Sequence, residues 1–94
     1  MLNLPSAELL ESRHDFPCQF VFKAIGTTES RFTARVVAVV REELQLEQDP
    51  PYSTRTDRSG RHVSVTMEPV CQSSQQVLAV YSRITGMDGL VMLL

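Results

Sequence analysis

Four groups of residues in this 94-residue chain are of types that do chemistry in proteins. His14, Asp15 and Cys18 carry the donor atoms of a transition-metal site, but metal ligands must converge into a tetrahedral or octahedral shell, and this spacing does not enforce one. No metal site is expected there. His62 and Ser64 have the atoms of a base and a nucleophile. Two positions apart on a strand they face the same side at about 6–7 Å, too far for direct proton transfer, and no orienting carboxylate is evident beside them. No catalytic residue is expected, and no cofactor. Arg55, Arg58 and Arg61 cluster with only Asp57 to offset them, so they could touch phosphate; the plainer reading is a hairpin tip kept soluble and its edge kept unpaired. Gly26, Thr27 and Thr28 join a strand to a helix, where free backbone N–H groups and the positive helix end could receive a small carboxylate or phosphate. The competing reading is a tight turn with Thr28 as helix cap.

The elements that must position these residues follow from hydrophobic periodicity. Over residues 16–26 the side chains of Phe16, Cys18, Phe20, Phe22 and Ala24 share one face of a strand, with Gln19, Val21, Lys23 and Ile25 on the other. Residues 30–44 change period: Phe32, Val36, Val39, Val40 and Leu44 form the stripe of an amphipathic helix that Pro50 and Pro51 prevent from continuing. Strands at 52–56 and 61–67 flank a turn at Asp57–Gly60, with Val63, Val65 and Met67 facing inward. A second helix over 73–85 carries Val77, Val80, Tyr81 and Ile84 on one stripe and has Gly86 at its C′ position, and residues 89–94 form a last strand. The order strand, helix, strand, strand, helix, strand predicts an α+β, ferredoxin-like βαββαβ sandwich: a four-stranded antiparallel sheet with two helices on one face. Ahead of it, Met1–Arg13 is an N-terminal arm with a short helix capped by Ser6, mobile unless it docks. Residues 14–94 then form one domain.

Composition narrows the function classes. A net charge of −2 and a pI near 5.6 argue against a general binder of nucleic acid or anionic membrane. The outward set of the sheet, Gln19, Val21, Lys23, Ile25, His62, Ser64 and Thr66, offers only the histidine as a ring on which a base could stack. Two cysteines, Cys18 and Cys71, are too few for a disulfide scaffold and form no CxxC pair, so reduced thiols and a cytoplasmic location are expected. No stretch approaches the roughly 20 apolar residues of a membrane helix.

In order and spacing, several blocks together resemble a known family. They are Glu8-Leu9-Leu10-Glu11 before Phe16-Pro17; Phe20, Lys23, Ile25 and Gly26; Val36–Val40; Ser59-Gly60 with Ser64-Val65; and Gly86 with Val91-Met92-Leu94. On these the chain resembles the YbeD-like family of small bacterial proteins of unknown function. The resemblance implies a ferredoxin-like fold similar to ACT-type regulatory domains, with no established reaction. The chain departs from the family pattern at Ser12–Asp15 and His62-Val63, and it lacks the acidic-x-Pro-Gly turn with which many ACT domains grip an effector.

Without a catalytic constellation, the leading expectation is a regulatory or adaptor domain that binds a protein partner or a second copy of itself. Val21, Ile25, Leu90, Val91 and Met92 are the expected interaction surface, because the last strand is an edge that carries no lysine or proline within Leu90–Leu94. The alternatives are an ACT-like sensor of an amino acid or small anion at Gly26–Thr28, and a phosphate-contacting binder of nucleic acid through the hairpin arginines.

Overall fold

The computed structural model describes residues 4–94; Met1 to Asn3 of the expected arm lie outside the described residues. In chain order the elements are helix α1 (Ala7–Arg13), strands β1 (Cys18–Gln19) and β2 (Phe22–Thr27), helix α2 (Phe32–Glu43), strands β3 (Tyr52–Thr56), β4 (His62–Met67) and β5 (Val70–Cys71), helix α3 (Ser74–Thr85) and strand β6 (Leu90–Leu93). The main sheet has the order β3-β4-β2-β6, antiparallel throughout, which is the order of a ferredoxin-like sandwich. Its inward face is made by strand alternation: Phe22 and Ala24 from β2, Val63, Val65 and Met67 from β4. The helical stripes close over them, with Phe32, Val36, Val39, Val40 and Leu44 on one side and Val77, Val80 and Ile84 on the other all buried, and Tyr81 half-buried against Phe22.

The expected strand over 16–26 is two strands. β1 pairs with β5, which the sequence reading did not anticipate, and it does so in the same register in which β2 pairs with β4. The ladder is one antiparallel run interrupted where Phe20 and Val21 face Glu68 and Pro69. Proline has no N–H to give, so at that step Phe20 donates to the Pro69 carbonyl (2.8 Å) with no return bond.

Two caps also differ from expectation. Thr28 does not cap α2: Arg31 stands at the N-cap in the left-handed region (φ 56°), with no side-chain bond. Together with Ser30 (φ 59°) it turns the chain tightly enough to set Phe32 over Gly26. Gly86 ends α3 at φ −92°, so it is not a left-handed cap; that conformation belongs to Gly89 (φ +89°), at the start of β6.

Residues 7–13 do not hang free. Ser6 caps α1 by accepting the Leu9 N–H (3.1 Å), Leu10 is buried in the core, and Ser74 at the start of α3 donates to the Glu11 carboxylate. His14 packs its ring 5.0 Å from that of Phe20. The expected arm is a docked helix over Ala7–Arg13 because one buried apolar side chain and one part-buried hydrogen bond hold what its own length would not.

Gly26 is a position where the fold tolerates no side chain. A Cβ there would lie 2.5–2.6 Å from three ring atoms of Phe32. Gly26→Ala is therefore expected to destabilise the domain by about 1–3 kcal/mol through overpacking, read as a lower urea midpoint; an unchanged midpoint would contradict the close packing of ring on backbone.

Candidate functional site

Both long helices lie on one face of the sheet, and the other face is open. The ladders set side chains in rows across it: Arg55, Ser64, Ile25 and Met92 are successive partners on β3, β4, β2 and β6. A shallow depression of about 410 Å³ runs along this row, with Thr56, Asp57, His62 and Val91 also lining it. One end is polar, the other apolar.

The polar end is organised by one carboxylate. Asp57 Oδ1 accepts hydrogen bonds from Ser59 Oγ (2.9 Å), the Arg61 amide (3.2 Å) and the His62 amide (3.3 Å), while Oδ2 lies 3.0 Å from His62 Nδ1. Gly60 supplies the left-handed residue of the turn (φ +75°). A carboxylate thus stands beside His62, where none was expected; its signal in the sequence is the Asp-x-Ser-Gly turn itself, in which an aspartate folds back onto the amides that follow. Among the described residues the Ser64 hydroxyl makes no hydrogen bond to His62, and the imidazole and carboxylate together hold the turn. No three His, Cys, Asp or Glu side chains are grouped to hold a metal ion among the described residues.

These bonds, the His62 side chain's first and the Ser59 hydroxyl's next, hold the Asp57 carboxyl at about 2, against an ordinary 3.8. The folded value is the depressed one, so the carboxylate's contribution to stability is complete above about pH 4 and is lost as the pH falls through about 2. The Asp57 carboxyl resonance should titrate with a midpoint near 2, and a midpoint at 3.8 would mean that the turn is not held this way.

The apolar end is made by β6 and by the side of β2 it pairs with. Val91, Met92 and Leu94 are 56%, 45% and 57% exposed, unusual values for large apolar side chains lying together at one edge; Val21, 53% exposed, stands just before β2, with Lys23 between it and Ile25 on the same face. Ile25 is half-buried between Ser64 and Met92. Leu90 does not belong to this surface: the register shifts between Ile25 and Gly26, Val91 becomes the extra residue, and Leu90 and Leu93 both turn inward onto the core. Leu94 takes its place outside. Its backbone exchanges two hydrogen bonds with Lys23 (2.8 and 3.4 Å), so the alternation of an antiparallel ladder turns the N–H and C=O of Leu93 to the free edge.

Comparison with known proteins places the chain. Residues 11–94 match the family described as "Protein of unknown function (DUF493)". A UPF0250 protein of Shewanella sp. strain ANA-3 is 33% identical over 95% of this chain and 94% of its own length, and one from Shewanella baltica strain OS155 is 32% identical over 80% and 83%. The chain belongs to this family. The YbeD-like resemblance and the fold it implied both stand. The solution structure of protein HP0495 from H. pylori shares the fold, with a TM-score of 0.60 over 100% of this chain and 98% of that one, at 17% identity.

In this DUF493 protein the expected anion site does not form. The Thr27 amide donates to the Gly89 carbonyl (2.9 Å), the Thr28 amide to the Arg61 carbonyl (3.0 Å), and Thr28 Oγ1 to the Gly60 carbonyl (2.8 Å). Gly26 is enclosed in the ladder between Val63 and Leu90. The helix begins only at Phe32, so its free amides are not those of Gly26, Thr27 or Thr28. The three arginines separate as well: Arg55 lies on the open face and lines the depression, while Arg58 and Arg61 are exposed in and just after the turn and do not line it. No helix among the described residues is long and apolar enough to cross a membrane.

Proposed function

We propose that this chain is a non-enzymatic cytoplasmic regulatory or adaptor domain that binds an extended segment of another protein chain along β6, with a second copy of itself as the first occupant. The observation that carries this reading is the free edge of β6, where Val91, Met92 and Leu94 are exposed. Within Leu90–Leu94 no charge or proline blocks pairing. Edges are ordinarily guarded, as β3 is by Pro50 and Pro51 before it and Arg55 within it, because an unpaired ladder recruits whatever strand it meets. An incoming strand would satisfy the Leu93 N–H and C=O and cover the apolar end of the open face, the usual combination in recognition by strand addition. Two antiparallel copies of β6 related by a two-fold axis present each other with the same surface, so a homodimer closes without leaving a free end. The cytoplasmic part of the reading rests on the cysteine count, two being too few for the disulfide scaffold of a small secreted domain.

Amide hydrogen exchange at increasing protein concentration tests it. Exchange of the Leu93 N–H should slow as association proceeds, while exposed amides elsewhere, such as that of Arg58, keep their rates. Equal rates for Leu93 in dilute and concentrated samples would rule out pairing of two copies through this edge.

A further inference from the structure

The β1–β5 ladder stands apart from the open face and holds a feature that the proposed function does not use. Cys18 and Cys71, the chain's two cysteines, are direct partners across it. Opposed residues on antiparallel strands project to the same side of the ladder. Their Cα atoms are separated by about 4.5–5.5 Å, depending on the kind of pair, and disulfides span about 4.4–6.8 Å. Both thiols are free.

We propose that Cys18 and Cys71 are an oxidisable pair that closes to an intramolecular disulfide on exposure to a small-molecule disulfide. Access is unequal. Cys71 is fully buried, and that burial, reinforced by the neighbouring Cys18, pushes its thiol up to about 11; Cys18 is only half-buried. Cys18 is therefore the residue that meets the oxidant. Having given its proton to solvent, its sulfur attacks one sulfur of the small disulfide; that S–S bond breaks, and one small thiolate leaves and takes up a proton. In the mixed disulfide the Cys71 thiol loses its proton to solvent and attacks Cys18 Sγ, and the bond to the second small thiolate breaks. Two protein thiols have been oxidised by two electrons and the oxidant reduced to two thiols. The second step needs Cys71 to be reached, and a ladder of two residues per strand is the kind of unit that opens locally at small cost.

The closed bond ties the start of β1 to the end of β5, which leads into α3. It encloses the whole of β2, α2, β3 and β4 in one covalent loop. Closing so long a loop restricts the unfolded chain, and the oxidised form is expected to melt roughly 10–20 °C above the reduced one.

The test uses the full chain and oxidised glutathione. The protein is incubated at mildly alkaline pH, quenched with an alkylating agent, and digested without reduction for peptide mass analysis. The expected result is a peptide pair joined through Cys18 and Cys71, a protein still of monomer mass, reversal by a dithiol, and a higher Tm before that reversal. In Cys71→Ala the reaction should stop at a glutathione adduct on Cys18. A wild-type chain that stops at that same adduct, that keeps both cysteines open to alkylation, or that joins two chains through Cys18 would overturn the proposal.

Discussion

Replacing Phe32 with alanine is expected to lower stability by about 3–5 kcal/mol, a large part of what a domain of this size possesses. The ring is 1% exposed, lies directly on Gly26, and opens α2 at the point where the left-handed pair Ser30 and Arg31 delivers the chain to the sheet. No neighbour can replace it, because the facing surface is the backbone of a central strand and backbone does not repack. Urea unfolding of Phe32→Ala should show a much lower midpoint with an unchanged slope. The pair gives a sharper test than either residue alone. With the ring gone, Gly26→Ala should cost almost nothing, so the two substitutions together should fall well short of the sum of their separate effects. Additive losses would mean that Gly26 is needed for a reason other than the ring.

Val91→Lys combined with Met92→Lys is expected to weaken self-association by on the order of a hundredfold while leaving the fold intact. Both side chains are about half-exposed in the isolated chain, so each lysine can be solvated there. In a two-fold pairing through β6 the added charges of the two copies approach each other and repel. Ser53→Lys makes the control, an exposed position on β3 at the far edge of the same sheet, and it should leave association unchanged. Equal weakening by both would point to net charge, and no weakening by Val91→Lys with Met92→Lys would remove β6 from the interface.

Periodicity carried most of the architecture. The alternation from Phe20 to Ala24, the stripe from Phe32 to Leu44 and the inward set Val63, Val65 and Met67 are each dictated by local geometry, and each is buried as its period requires, whereas Phe16 and Cys18, on the same alternation, are only half-buried. The features that escaped depend on what lies across the fold. Pro69 breaks the ladder only because it faces Phe20, and β5 is a strand only because Cys18 lies opposite Cys71. Leu90 turns inward only because Ile25 and Gly26 shift the register against it. Thr28 was available as a cap by its spacing, yet its hydroxyl goes to Gly60, more than thirty positions away. The surface suffered in the same way: Val21, Val91 and Met92 are exposed as the edge argument expected, whereas the amides of Thr27 and Thr28, free in any local view, are bonded to carbonyls that only the folded hairpin and β6 bring near.

Sedimentation equilibrium of the full chain over a wide concentration range tests the central claim most directly. Pairing through β6 predicts a mass that rises from 10.6 kDa for the single chain toward twice that value, with the rise abolished in Val91→Lys combined with Met92→Lys. A mass that stays at 10.6 kDa throughout, or a dimer that the two lysines leave untouched, would contradict it.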